Sequence, residues 1–211
     1  MAPTAREREI LDALLWKIRL LTLGQAARGW WTDAESGRRH ARKRLGLLTD
    51  AGLLLRVQAP VRPVSPLTEP LFRWRPGEPP PNFHALSWRC QKRWTEPPRT
   101  TLVYCASPKA IRLLGGSVKG EIKEPGKISH DAHLAEVFLA LKSASLSLAE
   151  SWRGEDAIAP SRVGQKLPDA MLCDSSGQPH TAIEFGAGYP AVRIREFHDD
   201  CAARSLPYEL W

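Results

Sequence analysis

The sequence predicts a mixed α/β chain of two units, a winged helix-turn-helix followed by an αβββαβ unit. Three observations carry that prediction. Three helical segments precede a strand, and the third helix is strongly basic. The charge is divided: residues 1–124 hold 22 Lys and Arg against 11 Asp and Glu, a net of +11, while residues 125–211 hold 8 against 12, a net of −4. Two short strands in the second half each carry one acid, Asp169 and Glu184, on either side of a turn at 174–179.

A cationic unit beside a mildly acidic one suits a first unit that docks on a polyanion. Ribosomal and RNA-coating proteins are usually basic throughout, so the division points to double-stranded DNA. An apolar fraction of 43% and a charged fraction of 25% are those of an ordinary globular protein. The 211 residues allow one or two domains. No run approaches the roughly 18 apolar residues of a membrane span, so no membrane partner is expected. The first residues lack the apolar core of a signal peptide, and the chain reads as cytoplasmic. The four cysteines (90, 105, 173 and 201) include no Cys-x-x-Cys pair, which argues against a zinc site or disulfide frame. Cys105 and Cys173 read as strand core residues.

In chain order, residues 5–20 place Ile10, Leu14, Ile18 and Leu21 at helical spacing. Thr22 is positioned to cap a short helix over 23–28, and Asp33 a third over 34–51 that Gly52 stops. Five of the seven residues 38–44 are Arg or Lys. A charge run is ordinarily a solvated helix face. Here its place, third in order and just before a strand at 53–58, is that of a recognition helix, whose cations neutralise phosphates beside the major groove. Arg38, Arg39, Arg42, Lys43 and Arg44 are the candidate DNA contacts. Pro60, Pro63, Pro66 and Pro70 then interrupt the chain, and 70–75 is expected to return as the second wing strand, so that Arg56 and Arg73 lie on the wing. Trp30 and Trp31 read as core rather than base-stacking groups.

Residues 82–94 form a helix candidate between proline-rich ends, and 100–105 a strand. Ser107 caps a helix with Pro108 at its first position, ended by Gly115 and Gly116. The first domain is expected over 1–116, a linker over 117–128 and the second domain over 129–211. From Ser129 a helix places Leu134, Val137, Phe138 and Leu141 on one face. A strand near 148–153, strands at 166–173 and 180–186, a helix over 190–204 and a strand at 208–211 follow. Ile194, Phe197 and Cys201 share a face of that last helix. Gly186-Ala187-Gly188 lacks the spacing and lysine of a phosphate loop and reads as a strand-to-helix turn.

Helix–strand–strand–strand–helix–strand, with Pro168-Asp169 on the second strand and Glu184 on the third, is similar to the restriction-endonuclease-like PD-(D/E)xK core. More closely, the chain resembles the replication-relaxation family of plasmid and mobile-element proteins. The residues that carry the resemblance are His130-Asp-Ala-His-Leu-Ala-Glu-Val137, Pro168-Asp169-Ala170, Ile183-Glu184, and Val103-Tyr104 followed by Ser107 and Ala110. Each motif alone is weak; their order covers most of the chain. The resemblance implies a DNA-binding protein connected with plasmid replication or mobile-element control, and by itself says nothing of activity. Winged-helix proteins often bind as homodimers, although no heptad seam is visible here.

Nucleases of this fold carry acid-x-Lys on the third strand, where the lysine stabilises developing charge. Residue 186 is glycine, and the family commonly lacks that lysine too. In a catalytic reading, Asp169 and Glu184, with Glu136 from the preceding helix, hold Mg²⁺ for phosphodiester hydrolysis, and Lys166 or Arg193 supplies the missing cation. In a structural reading, Asp169 accepts hydrogen bonds from backbone or from His130, and Glu184 pairs with an arginine. His130 and His133 then serve as caps or core. Three functions stay open on the sequence: a DNA-binding regulator, an active Mg²⁺-dependent DNA endonuclease, and a protein-interaction subunit of a mobile-element or defence system.

Overall fold

A computed structural model describes residues 3–118, 125–162 and 166–211 and has a mixed α/β architecture. Helix α1 (Ala5–Trp16) begins at a reciprocal cap in which Glu7 N donates to Thr4 Oγ1 and Thr4 N donates to Glu7 Oε2. A short strand β1 (Leu21–Thr22) leads into α2 (Leu23–Trp30), where Thr22 and Gln25 form the same kind of box. Helix α3 (Glu35–Asp50) follows after a four-residue turn. Its cap is Ala34, with no side-chain bond, rather than the expected Asp33; Asp33 instead accepts two hydrogen bonds from Arg38. Gly37 lets α3 start against the turn, because a Cβ there would strike the backbone of Thr32. Gly52, at φ +72°, ends the helix as expected.

Strand β2 (Leu54–Val61) forms, but its partner is not the expected return at 70–75. It pairs antiparallel along its whole length with β4 (Arg99–Ala106), which also pairs with β1, giving a three-stranded sheet in the order β1-β4-β2. Between β2 and β4 the chain leaves for a second sheet. There β3 (Phe72–Trp74) pairs with β8 (Tyr208–Leu210), and α4 (Phe83–Gln91), extended by a 3₁₀ turn at Lys92–Trp94, packs on α9 (Ala191–Ala203). Residues 72–94, expected to extend the first unit, are therefore built into the second. The Ser107 cap and Pro108 start α5 (Pro108–Leu114) as predicted, and Gly115 at φ +80° follows its last residue.

The expected linker falls partly on residues 119–124, outside the described residues. Helix α6 (Pro125–Ala144) starts inside that range. It was expected to bury one face, yet Ile128, Ala132, His133, Ala135, Glu136, Val137, Phe138, Leu139 and Leu141 are all buried. A helix buried all round lies inside a core. It packs on β1 and β2 on one side, and Phe138 lies 5.6 Å from Trp152 on the other. The strand expected near 148–153 is mostly helical: α7 (Leu146–Ser151) precedes a three-residue β5 (Trp152–Gly154) and the single turn α8 (Glu155–Ile158).

The second sheet runs β3-β8-β7-β6-β5, with β6 (Ala170–Cys173) and β7 (Pro179–Glu184) at its centre. Strands β5, β6 and β7 are successively antiparallel, and β8 lies parallel to β7 after the α9 crossover. Asp174 closes the β6–β7 turn by accepting from Ser176 N and Gln178 N. One hydrophobic cluster runs from α1, α2, α3, β2 and β4 through α6 to β6 and β7. Polar ties cross the same boundary: Trp152 Nε1 donates to Lys17 O at 2.9 Å, and the Arg19 guanidinium holds Asp156, Glu155 and Asp131.

Candidate functional site

Two places in the fold collect the residues singled out from the sequence. The first is the exposed side of α3. Arg39, Arg42 and Lys43 are exposed, lie at i, i+3 and i+4 on one face, and make no ion pair with the described residues. Arg38 is also exposed but shares its charge with Asp33 at 2.7 Å. Arg44 is turned inward. Its guanidinium donates to both oxygens of the buried Glu7, at 2.8 and 2.7 Å, which locks α1 to α3. Burial opposes charge on Glu7, but Arg44 and Thr4 overcome it and hold the carboxyl below its usual range. Arg56 is exposed on β2, opposite Tyr104. Arg73 lies on β3 in the other sheet, paired with Glu209 at 3.0 Å, and so does not share a surface strand with Arg56.

The second place is the acid pair. Register Ala170↔Ile183 sets Asp169 opposite Glu184 at the end of the β6–β7 ladder. Asp169 N donates to Glu184 Oε2 at 3.2 Å, and Phe185 N donates to Asp169 Oδ2 at 2.8 Å. Tyr189, from the turn before α9, donates its hydroxyl to Glu184 Oε1 at 2.8 Å. His130 Nε2 lies 3.1 Å from Asp169 Oδ2, while its Nδ1 is 3.7 Å from Asp131. Burial works against a charged His130, but Asp169 and Asp131 raise it to about 10. Glu184 is 4% exposed. Burial and the neighbouring Asp169 push it up to about 8, against the lowering hydrogen bonds from Tyr189 and from Asp169 N. In this cluster burial and Asp169 disfavour charge on Glu184, while the neighbouring acids favour it on His130.

The expected helpers lie elsewhere. Glu136 is buried on another side of α6, where it accepts from Arg28 at 2.7 Å and Gln25 at 3.0 Å. Lys166 reaches Glu196 at 3.3 Å, and Arg193 stacks 3.9 Å from the Tyr189 ring. Glu184 meets a tyrosine rather than an arginine. A side chain at 186 would crowd its neighbours: its Cβ would lie 2.8 Å from Leu210 Cδ1 and 3.1 Å from Cys90 Sγ, so those buried side chains would have to shift. His133 is a core group, within hydrogen-bond distance of Ser129 O and Pro63 O and stacked on Phe185 at 5.1 Å. Burial lowers its pKa.

These residues do not fit a Mg²⁺ ion. That ion takes a near-octahedral oxygen shell and keeps several waters. Here both oxygens of Glu184 and one of Asp169 already accept protein hydrogen bonds, and His130 Nε2 lies 3.1 Å from the same Asp169 oxygen. Among the described residues no group of three or more His, Cys, Asp or Glu is placed to hold a metal.

Two participants were not singled out from the sequence. Tyr189 sits in a Gly-rich turn, and a hydroxyl five residues beyond a strand acid was the available signal. Arg93 lies 6.0 Å from the Phe185 ring and has a buried Nη1 without a hydrogen-bond partner among the described residues. It comes from the other half of the chain, and nothing local in the sequence links it to the acids. In comparisons with known proteins, no family model matches the chain, and no curated protein or solved structure matches it either.

Proposed function

We propose that this chain is a double-stranded DNA-binding regulatory protein of plasmid or mobile-element type, in which α3 meets DNA and the acid pair organises the second sheet without cutting. The observation that carries the reading is the cationic face of α3: Arg39, Arg42 and Lys43 are exposed with no ion-pair partner among the described residues, while Arg44 is used to fix the helix. Arg56 adds charge on β2. The order α1, α2, α3, β2, with Gly37 allowing the tight turn, supports a winged helix-turn-helix whose wing pairs β2 with β4. The order α6, β5, β6, β7, α9, β8, with β8 parallel to β7, supports a restriction-endonuclease-like core and the resemblance to the replication-relaxation family.

Loss of cutting follows from how the acids are used. Their oxygens serve the sheet and the Tyr189 turn, and the position of the usual lysine is walled by Leu210 and Cys90. Binding to a duplex should weaken with salt. Replacing Arg39, Arg42 and Lys43 together by Ala should reduce the slope of log K against log salt by about 2–3, since each phosphate left without its cation takes about 0.9 from the slope. A slope unchanged by those replacements, or no binding at low salt, removes the reading. Nicking of plasmid with Mg²⁺ or Mn²⁺ that Asp169→Ala abolishes would put an active endonuclease in its place.

A further inference from the structure

The second half of the sequence is net acidic, but the folded second unit presents a basic and aromatic face, because α4 is recruited to it from the first half. Residues 83–94 carry His84, Arg89, Lys92 and Arg93 and no acid. They are bound to the α9 side of the sheet by Ser87 Oγ, which donates to Tyr189 O at 2.9 Å, and by Gly188 N, which donates to Cys90 O at 3.2 Å. Trp88 is 58% exposed on this helix, with Lys92 Nζ 3.5 Å from the centre of its ring. Helix α9 adds Arg195, 4.6 Å from the Phe83 ring. Of the three α9 acids, Glu196 and Asp200 are engaged by Lys166 and Arg204, and Asp199 is exposed four residues beyond Arg195.

We infer that the α4–α9 face is a second nucleic-acid surface, which binds single-stranded DNA by stacking a base on Trp88 between phosphate contacts to Arg89, Lys92 and Arg195. An indole covered by Lys92 on one face and otherwise exposed, with guanidinium groups on the same two helices, offers what an unpaired nucleotide needs, a flat apolar face for the base and charge for its backbone. A duplex hides its base faces in the stack, so this surface suits a strand that is already open. An apolar protein partner would strip the hydration of those cations, whereas a phosphate chain complements them. The choice of DNA over RNA rests on the reading of α3 as a DNA-binding helix.

The test is fluorescence anisotropy of the full chain with labelled oligo-dT of about 16 nucleotides and, separately, with a duplex. Trp88→Ala should weaken oligo-dT binding about tenfold and leave duplex binding unchanged. Trp88→Phe should recover most of that affinity, as a merely electrostatic patch would not require. Replacing Arg39, Arg42 and Lys43 should do the reverse, so a failure of the α3 reading shows in the duplex arm alone. The inference is overturned if Trp88→Ala leaves oligo-dT binding intact, if it weakens both ligands equally, or if Trp88→Phe is no better than Ala. Tighter binding of oligo-U than oligo-dT, or competition by polyglutamate at equal charge, would also overturn it. Both variants should keep the thermal melt of the parent, since Trp88 is a surface residue.

Discussion

Gly186 stands two residues after Glu184, with Leu210 and Cys90 against the space a side chain would enter. Placing a lysine there should therefore have a cost and, on the proposed reading, no catalytic gain. Gly186→Lys should destabilise by about 1–3 kcal/mol through overpacking, read as a lower urea midpoint, and should not produce nicking with Mg²⁺. A second residue-scale consequence concerns pH. Glu184 and His130 are both raised in the folded state, to about 8 from 4.5 and to about 10 from 6.5. For each group the folded state holds its proton more tightly than the unfolded state does. That contribution is fully present below the unfolded value and is lost as pH rises through the folded one. Stability should thus decline from about pH 5 to pH 10, and Glu184→Gln should flatten the part below about pH 8. The groups facing the pair are Asp169, Asp131 and Tyr189, with His133 and Arg93 around Phe185. A melting temperature that rises over this range would sink the account. Asp169 and Glu184 could be placed on adjacent strands from the sequence because each lies in a short apolar run beside a polar turn; their exact register could not, since it shifts between Leu172 and Cys173. Tyr189 and Arg93 could not, since a turn hydroxyl and a residue from the other half reach the site only through tertiary packing.

At the scale of elements, α3 contains two glycines with opposite roles. Gly46 has nothing within 4 Å of a built Cβ, while at Gly37 the Cβ would meet Thr32 backbone. Gly46→Ala should stabilise by about 0.5–1 kcal/mol, the ordinary helix preference. Gly37→Ala should destabilise by about 1–3 kcal/mol despite the same preference. Urea midpoints of the two variants moving in the same direction would contradict this packing of the turn. Elements whose ends are written in local chemistry were legible: Thr22 and Ser107 cap, and Gly52 and Gly115 stop, where predicted. Asp33 failed as a cap because Arg38, one turn on, takes its carboxylate. The partner of β2 was illegible because a near return at 70–75 has the residues of a strand, and pairing is decided by which edge is free. Phe72–Trp74 found the edge of β8, where Trp74 stacks on Tyr208 at 5.7 Å.

At the scale of the molecule, the expected division at 117–128 cuts through a shared core. Helix α6 is buried by both sheets, and β3 and α4 of the first half complete the second unit. Separate fragments covering 1–118 and 125–211 should each lack a cooperative thermal transition by circular dichroism, while the full chain shows one. Two cooperative fragment melts would show independent domains instead. The charge division misled on this point. It follows the chain, whereas the surface follows packing, and α4 carries its cations across. The pairing of β3 with β8 also sets an order of events on the ribosome. The partner of residues 72–74 is made of residues 208–210, with Arg73 and Glu209 separated by 136 positions, so that edge stays open until they emerge. The β2–β4 ladder, closed by residue 106, can form long before it. The nascent chain should therefore form its first sheet before its second sheet can close.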